Sequence, residues 1–436
     1  MLEDVLRGPL SHHAIAPPAL QPFDGLDDAM REVAEAIGND PTRSELHAAI
    51  GNGFIRRTRY LEAMAAYRAA LDSDPSNAPA RLALSELMSI AGDPGCLLQL
   101  QEALRQRRVY ADSSVAEKPT ALLLLRDAPY STNAPLDLIV DRSEIAMHRC
   151  YVQEDDCTAL PPFDVIFCAF GYARAAQKAI DRAECFAERC GVPTINEPAK
   201  LIACARENLS KTLQCVTGIS VPEVSVCAPS EVLVRGTTLV RPVDTHAGMG
   251  LALVGSAQEF LAHHARWDAA YYHVAPFIDY ASADGYYRKY RIALVDGAAY
   301  PYHLAISPRW MVHYRNAPMA QHEWMREEEA AFLADPHRVF PEWAVFAQVA
   351  KAIGLDYVGV DCAQLLDGSM LIFEADPAML FHDEDPAGVF AYKRACVAEI
   401  RRALTAMMVE RAGARGTRRK DGPIAMRQER SYGHFA

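Results

Sequence analysis

Apolar residues recur in short runs bounded by turn residues through most of the chain, and the sharpest case spans Tyr357 to Met379. Two such runs flank Asp367-Gly368, which predicts a hairpin. With those two residues as the turn, Leu366 pairs with Ser369, Asp361 faces Glu374, and Asp376 emerges on the same face. A second Asp-Gly pair, Asp296-Gly297, joins the runs Tyr290–Val295 and Ala299–His303. Upstream, Thr120–Leu125, Ile145–Val152 and Asp164–Phe170 read as strands, with a helix over Arg174–Arg189. That alternation predicts a small open parallel sheet. Beyond it the pattern predicts a helix from Glu197 through Leu209 to about Val216. Strands Leu239–Val243 and Leu251–Val254 then enclose a loop, Asp244–Gly250. Ser256 and Glu259 form a capping box opening a helix. Val274–Ile278 is extended, and a helix over Trp343–Ile353 stops at Gly354.

The first hundred residues are helical in pattern and contain a repeat. With the closing proline of a 34-residue helix–turn–helix unit set on Pro75, Ile50, Gly51, Phe54, Ala63, Tyr67 and Ala70 occupy its signature positions. His47 takes the place of the usual Trp. Ala29, Val33, Ala36 and Pro41 form an earlier half unit, and Leu84 and Met88 a later one. Residues 27 to 90 thus resemble the tetratricopeptide family. Such a region offers a surface for a protein or peptide partner.

Composition narrows the classes. The chain has 436 residues, enough for two or three domains. A net charge of −12 argues against nucleic-acid binding. No apolar run is long enough for a membrane span, and the first residues do not have the form of a secretory signal. Eleven cysteines without a C-x-x-C pair fit free thiols in the cytoplasm. Residues from Arg411 on are basic and poor in apolar side chains, so a disordered tail is expected.

The predicted hairpin brings Asp361, Glu374 and Asp376 together, and like charges on one sheet face are destabilising. A hard divalent cation relieves that repulsion, and Mg²⁺ uses one or two carboxylates plus substrate phosphates. The segment VRPVDTHAGMGL places Arg241 on a strand, with Gly248 and Gly250 at the loop tip. Glycines admit phosphate to backbone N–H groups, and a guanidinium offers two donors to the same anion. Between the second hairpin and the carboxylates, Tyr302, His303, Ser307, Arg309, Trp310, His313, Tyr314, Arg315 and Asn316 form a basic, aromatic stretch.

In that order, GVPTINEPAKLIACARENL, LVRPVDTHAGMG, HVAPFI, KYRIALVDG, GLDYVGVDCAQ and LIFEADPAM resemble the ATP-grasp superfamily of carboxylate–amine ligases. The resemblance covers about Pro119 to Thr405 and is nearest the glutathione-synthetase and ribosomal-protein glutamate-ligase branches. It implies an α/β (α+β) ATP-grasp fold with a small α/β domain over 119–197 and the ATP-grasp module over 198–410; the tetratricopeptide-like helical region over 1–112 precedes these and the basic tail over 411–436 follows. It implies ATP as co-substrate with Mg²⁺ or Mn²⁺, and a small-molecule or peptide carboxylate joined to an amine through an acyl phosphate. Arg241 and Arg291 would act on the transferring phosphoryl group. Arg241, His246, Gly248, Gly250 and Lys211 would surround the phosphates, and Val274, Phe277 and Ile278 would hold adenine by main-chain bonds. Asp284 or Asp279 would take the ribose, because Pro276 stands where Glu is usual. Asp361, Glu374 and Asp376 would bind the metal, and Arg288, His303, Ser307, Trp310, His313 and Asn316 the acceptor. The chain departs from the family at Arg241 (usually Lys), Asn208 (usually Lys) and Asp376 (usually Asn). Two alternatives stay open: a kinase of the same fold, and a nucleotide-binding scaffold for a repeat-bound partner. The oligomeric state is open too, a dimer included.

Overall fold

A computed structural model describes residues 42–55, 59–112, 118–152, 160–245, 248–313, 316–382 and 388–414. The helical region holds two antiparallel hairpins: α1 (Arg43–Ile55) with α2 (Tyr60–Ser73), and α3 (Ala78–Ala91) with α4 (Cys96–Gln106). Close packing in the first depends on Gly51, because a Cβ there would stand 2.6 Å from the Tyr67 ring. The earlier half unit, Ala29 to Pro41, lies outside the described residues.

Leu82, Leu100, Ala103 and Leu104 dock these helices on a five-stranded sheet. Its strands are β1 (Val109–Tyr110), β2 (Thr120–Leu125), β3 (Ala146–Tyr151), β4 (Val165–Cys168) and β5 (Thr194–Ile195), ordered β1-β3-β2-β4-β5. All pairs except β1–β3 are parallel, as the strand–helix alternation predicts. Helix α5 (Gln177–Cys190) covers one face with Ile180, Ala183 and Phe186. The helix expected from Glu197 to Val216 is broken. Pro198–Cys204 is a 3₁₀ turn, Ala205 is extended, and α6 is only Arg206–Thr212.

Two further sheets carry most of the candidate site residues. In one, β7 (Ser225–Cys227), β10 (Tyr272–Pro276), β8 (Thr238–Pro242) and β9 (Ala252–Val254) lie in that order. Their back packs on α7 (Ala257–Trp267), whose N-cap Ser256 accepts from the Glu259 N–H. The other runs β12 (Ala298–Ser307), β11 (Tyr287–Val295), β13 (Tyr357–Gln364), β14 (Met370–Asp376) and β6 (Ile219–Ser220). Its strands β11 and β12 meet at Asp296-Gly297, both with positive φ (49° and 79°), as the two-residue hairpin requires. Helices α8 (Glu323–Ala334) and α9 (Val345–Ile353) cover its outer face, where Tyr290 meets Phe332 and Phe340. Helix α10 (Arg394–Gly413) joins this sheet to the parallel one through Val397, Ile400, Leu404 and Met408. The helix thus runs past Arg411, and the rest of the expected tail lies outside the described residues.

Asn196, at φ 55°, ties the two layers together. Its side chain donates to the Tyr357 carbonyl (2.8 Å) and accepts from the Tyr357 N–H (2.9 Å).

Candidate functional site

The β13–β14 hairpin places Asp361 opposite Glu374, as expected, by a different route. Leu365, not Leu366, pairs with Ser369, so three residues make the turn and Gly368 takes a φ of 84°. A bulge between Asp361 and Cys362 then shifts the register by one and restores the pairing.

Neighbours divide the three carboxylates. Asp361 is 1 % exposed and both of its oxygens are taken. Lys289 Nζ donates at 2.8 Å, and Arg291 donates from Nε at 2.7 Å and Nη2 at 3.0 Å. Burial alone would raise the Asp361 pKa, but Arg291 and Lys289 hold it far below the usual carboxylate range. Glu374 pairs with Arg206 of α6. Burial opposes its ionisation as well, but Arg206, Arg241 and Lys289 together outweigh burial and the Asp361 charge, and its pKa falls to about 2. Asp376 accepts a 2.8 Å bond from the Ala378 N–H. Burial first, with Glu374 adding and Ala378 opposing, raises its pKa to about 6.

Among the described residues, therefore, no three His, Cys, Asp or Glu side chains gather to cage a metal. The expected set of three is split because the β11 cations reach Asp361 first. The donor chemistry still fits a hard cation. Glu374 and Asp376 offer carboxylate oxygens beside each other, and among the described residues Asp376 carries no cation pair of its own.

Across the cleft stands Arg241 of β8, 8 % exposed, bonded to the side chain and carbonyl of Thr245. Burial and then Arg206 lower its pKa to about 9, with Glu374 and Asp376 opposing. The cleft is lined by Tyr172 and Arg174 beyond β4, Arg206 and Glu207 of α6, Asp244 and His273, and Glu374 and Asp376. The glycine loop meets this opening at Asp244. At its base, Asp244 accepts from the Arg174 and Ala175 N–H groups at 3.0 and 3.2 Å. At its tip, Gly248 has φ 73°, and a Cβ there would lie 3.0 Å from Nε2 of His313. His246 lies outside the described residues.

The remaining candidates fall into two groups. His303 and Ser307 share the cleft face of the β11–β12 sheet with Lys289 and Arg291, His303 directly opposite Arg291. Burial, then Lys393 and Arg291, keep the His303 pKa well below its ordinary value. His313 lies over the same face, and burial followed by the Lys289 charge lowers its pKa to about 4. Asn316 staples that loop, accepting from the His313 N–H and donating to the Met311 carbonyl. Trp310 meets Phe277 edge-on at 5.7 Å. Tyr314 and Arg315 lie outside the described residues.

Other expected residues are not brought to the cleft. Arg288 points to the opposite face of β11, where it pairs with Glu328 (2.5 Å) and with Asp284 (2.8 Å). Residues three apart on a strand face opposite ways, so Arg288 and Arg291 cannot share a site. Asp284 is held in the same outer network. Lys211 is exposed on α6, and Arg206 reaches Glu374 instead. Val274 is central in its sheet, paired with Val240 on one side and Ser225 on the other. Phe277 donates its N–H to Thr237, which leaves its carbonyl and the Ile278 main chain beyond the ladder. Sequence reasoning missed Lys289 and Arg206. The signal for Lys289 was its two-residue spacing from Arg291.

This mixed α/β arrangement, with a glycine-loop sheet facing a carboxylate-bearing sheet, fits the ATP-grasp fold that the sequence resembles. No protein-family model and no curated protein matches the chain. Solved structures are similar at low identity. The D-alanine-D-alanine ligase from Coxiella burnetii is 11 % identical, with 68 % of this chain and 96 % of that one covered at a TM-score of 0.44. The D-alanine–D-alanine ligase from Bacillus anthracis complexed with ATP is 13 % identical, with 67 % and 96 % covered at 0.41. A RimK domain ATP-grasp protein from Sphaerobacter thermophilus is 15 % identical, with 64 % and 98 % covered at 0.36.

Proposed function

We propose that the protein is an ATP-dependent ligase that joins a carboxylate to an amine, with residues 198–410 as its catalytic module. One observation carries this reading. Arg241 stands within electrostatic reach of Glu374 and Asp376, and His313, which Gly248 abuts, stands within reach of Glu374, Lys289, Arg291 and Asp361. Cations for phosphate, oxygens for a divalent ion and a basic approach surface thus lie within reach of one another. In the first step a carboxylate oxygen bonds to the γ-phosphorus as the bond to ADP breaks. The amine nitrogen then bonds to the acyl carbon, phosphate leaves, and the amine gives up a proton. Arg241 and Arg291 neutralise charge on the phosphoryl oxygens. Glu374 and Asp376 would hold Mg²⁺ or Mn²⁺, which would supply Lewis-acid neutralisation of phosphate charge. His303, Ser307 and His313 line the approach for a small-molecule or peptide substrate.

We also propose that the tetratricopeptide-like helices serve substrate or partner choice. The decisive experiment combines protein, ATP, Mg²⁺ and pools of amino acids and short peptides, and seeks ADP together with a mass equal to two components minus water. ADP release with a phosphorylated metabolite and no amide product would overturn the ligase reading.

A further inference from the structure

The strand β11 presents two cations to one carboxylate. Lys289 and Arg291 lie two residues apart, so both side chains reach the cleft face, where Asp361 of β13 receives them. All three are largely removed from solvent, with side-chain exposures of 12 %, 19 % and 1 %. Glu374, opposite Asp361, is the next carboxylate and is itself paired with Arg206, so the cations Lys289, Arg291 and Arg206 outnumber the carboxylates Asp361 and Glu374 in a poorly solvated place, which is unfavourable without an anion. The Lys289 ammonium has three N–H donors, and Asp361 is its one hydrogen-bond acceptor among the described residues. Arg291 spends a further donor on the Leu380 carbonyl at 3.3 Å, so Lys289 has the more donor capacity to spare. Above it, the His313 loop meets the tip of the glycine loop. The excess charge therefore lies where that loop would hold the end of a polyphosphate.

We infer that Lys289 binds the terminal phosphoryl group of the nucleotide beside Arg291, with Asp361 holding both cations ready. This rests on the nucleotide reading proposed above and adds a residue to it. The group it contacts is present in ATP and missing from ADP, so the test is discrimination between the two. Calorimetry would compare adenylyl imidodiphosphate and ADP, each with Mg²⁺, on the full chain. The wild type should favour the triphosphate analogue by roughly tenfold or more, the scale of one charge-assisted bond. Lys289→Met should cut that preference by about threefold or more, with Arg241 and Arg291 supplying what remains, while still binding ADP, which also reports that the variant is folded; Lys289→Arg should keep most of the preference. A Lys289→Met protein with the wild-type ratio overturns the inference, as does a Lys289→Arg protein that loses the preference completely. If the wild type binds neither nucleotide, the nucleotide reading falls and this inference with it.

Discussion

Gly171 and Asp376 meet at the seam between the parallel sheet and the carboxylate hairpin: a Cβ on Gly171 would stand 2.6 Å from Oδ1 of Asp376. The small α/β domain therefore sets the position of a candidate site carboxylate. Gly171→Ala should displace Asp376 from the Ala378 N–H and destabilise the fold by roughly 1–3 kcal/mol. Denaturant unfolding measures the loss. A variant as stable as wild type, with unchanged metal-dependent ADP release, would show that the contact has no consequence.

The glycine loop supplies a second test. Valine at Gly248 would be forced into a left-handed backbone conformation and against His313, a strain of about 1–2 kcal/mol confined to the loop. The nucleotide-induced rise in Tm should shrink strongly while the nucleotide-free Tm changes little. Gly250 is a poorer choice, because a Cβ there would lie 2.5 Å from Pro242 on β8 itself. An undiminished ATP-induced shift in Gly248→Val would remove the loop from the nucleotide site.

Much of this was legible because the hairpins are written in local chemistry. Asp296-Gly297 adopts the two-residue turn its sequence calls for, and Arg241 lies on a strand with Gly248 in the loop that follows, as their pattern implies. The second hairpin shows the limit. Its turn holds three residues, and only a compensating bulge keeps Asp361 across from Glu374. Bulges depend on packing, and no residue pattern between Asp361 and Glu374 announces one. The assignment of Arg288 was a different kind of miss, since period-two alternation already set it on the far face from Arg291. Arg206 was hidden by reading one continuous helix through Ala205, where the chain is extended.

Removing the helical region tests its role. Its Leu82, Leu100 and Leu104 are buried against the parallel sheet, whereas the phosphate and carboxylate candidates all lie after residue 119. Deleting residues 1–112 should change substrate use more than ATP affinity, provided polar residues replace the sheet side chains it uncovers. Equal turnover of the native substrate by a soluble truncated protein would refute this.

The carboxylates allow the sharpest prediction, because Glu374 and Asp376 are perturbed in opposite directions. Glu374→Gln removes the partner of Arg206 and one proposed cation ligand, so ADP release should fall at least tenfold in a folded protein. Asp376→Asn keeps an oxygen donor and the site's shape, so activity should persist with a higher Mg²⁺ requirement. The same variant has a signature independent of turnover. The Asp376 pKa rises from 3.8 to about 6 on folding, so the folded state holds more protons across that window. Stability must then fall as pH rises from about 4 to 6. Asparagine removes this slope, leaving the variant more stable than wild type above pH 6 by roughly 1–2 kcal/mol after allowing for partial exposure. Urea unfolding at pH 4.5 and 7 without metal measures the difference. If both proteins show the same pH slope, Asp376 is not strained by its site. If Glu374→Gln turns over at the wild-type rate with an unchanged Mg²⁺ requirement, the cation lies elsewhere and the proposed chemistry fails with it.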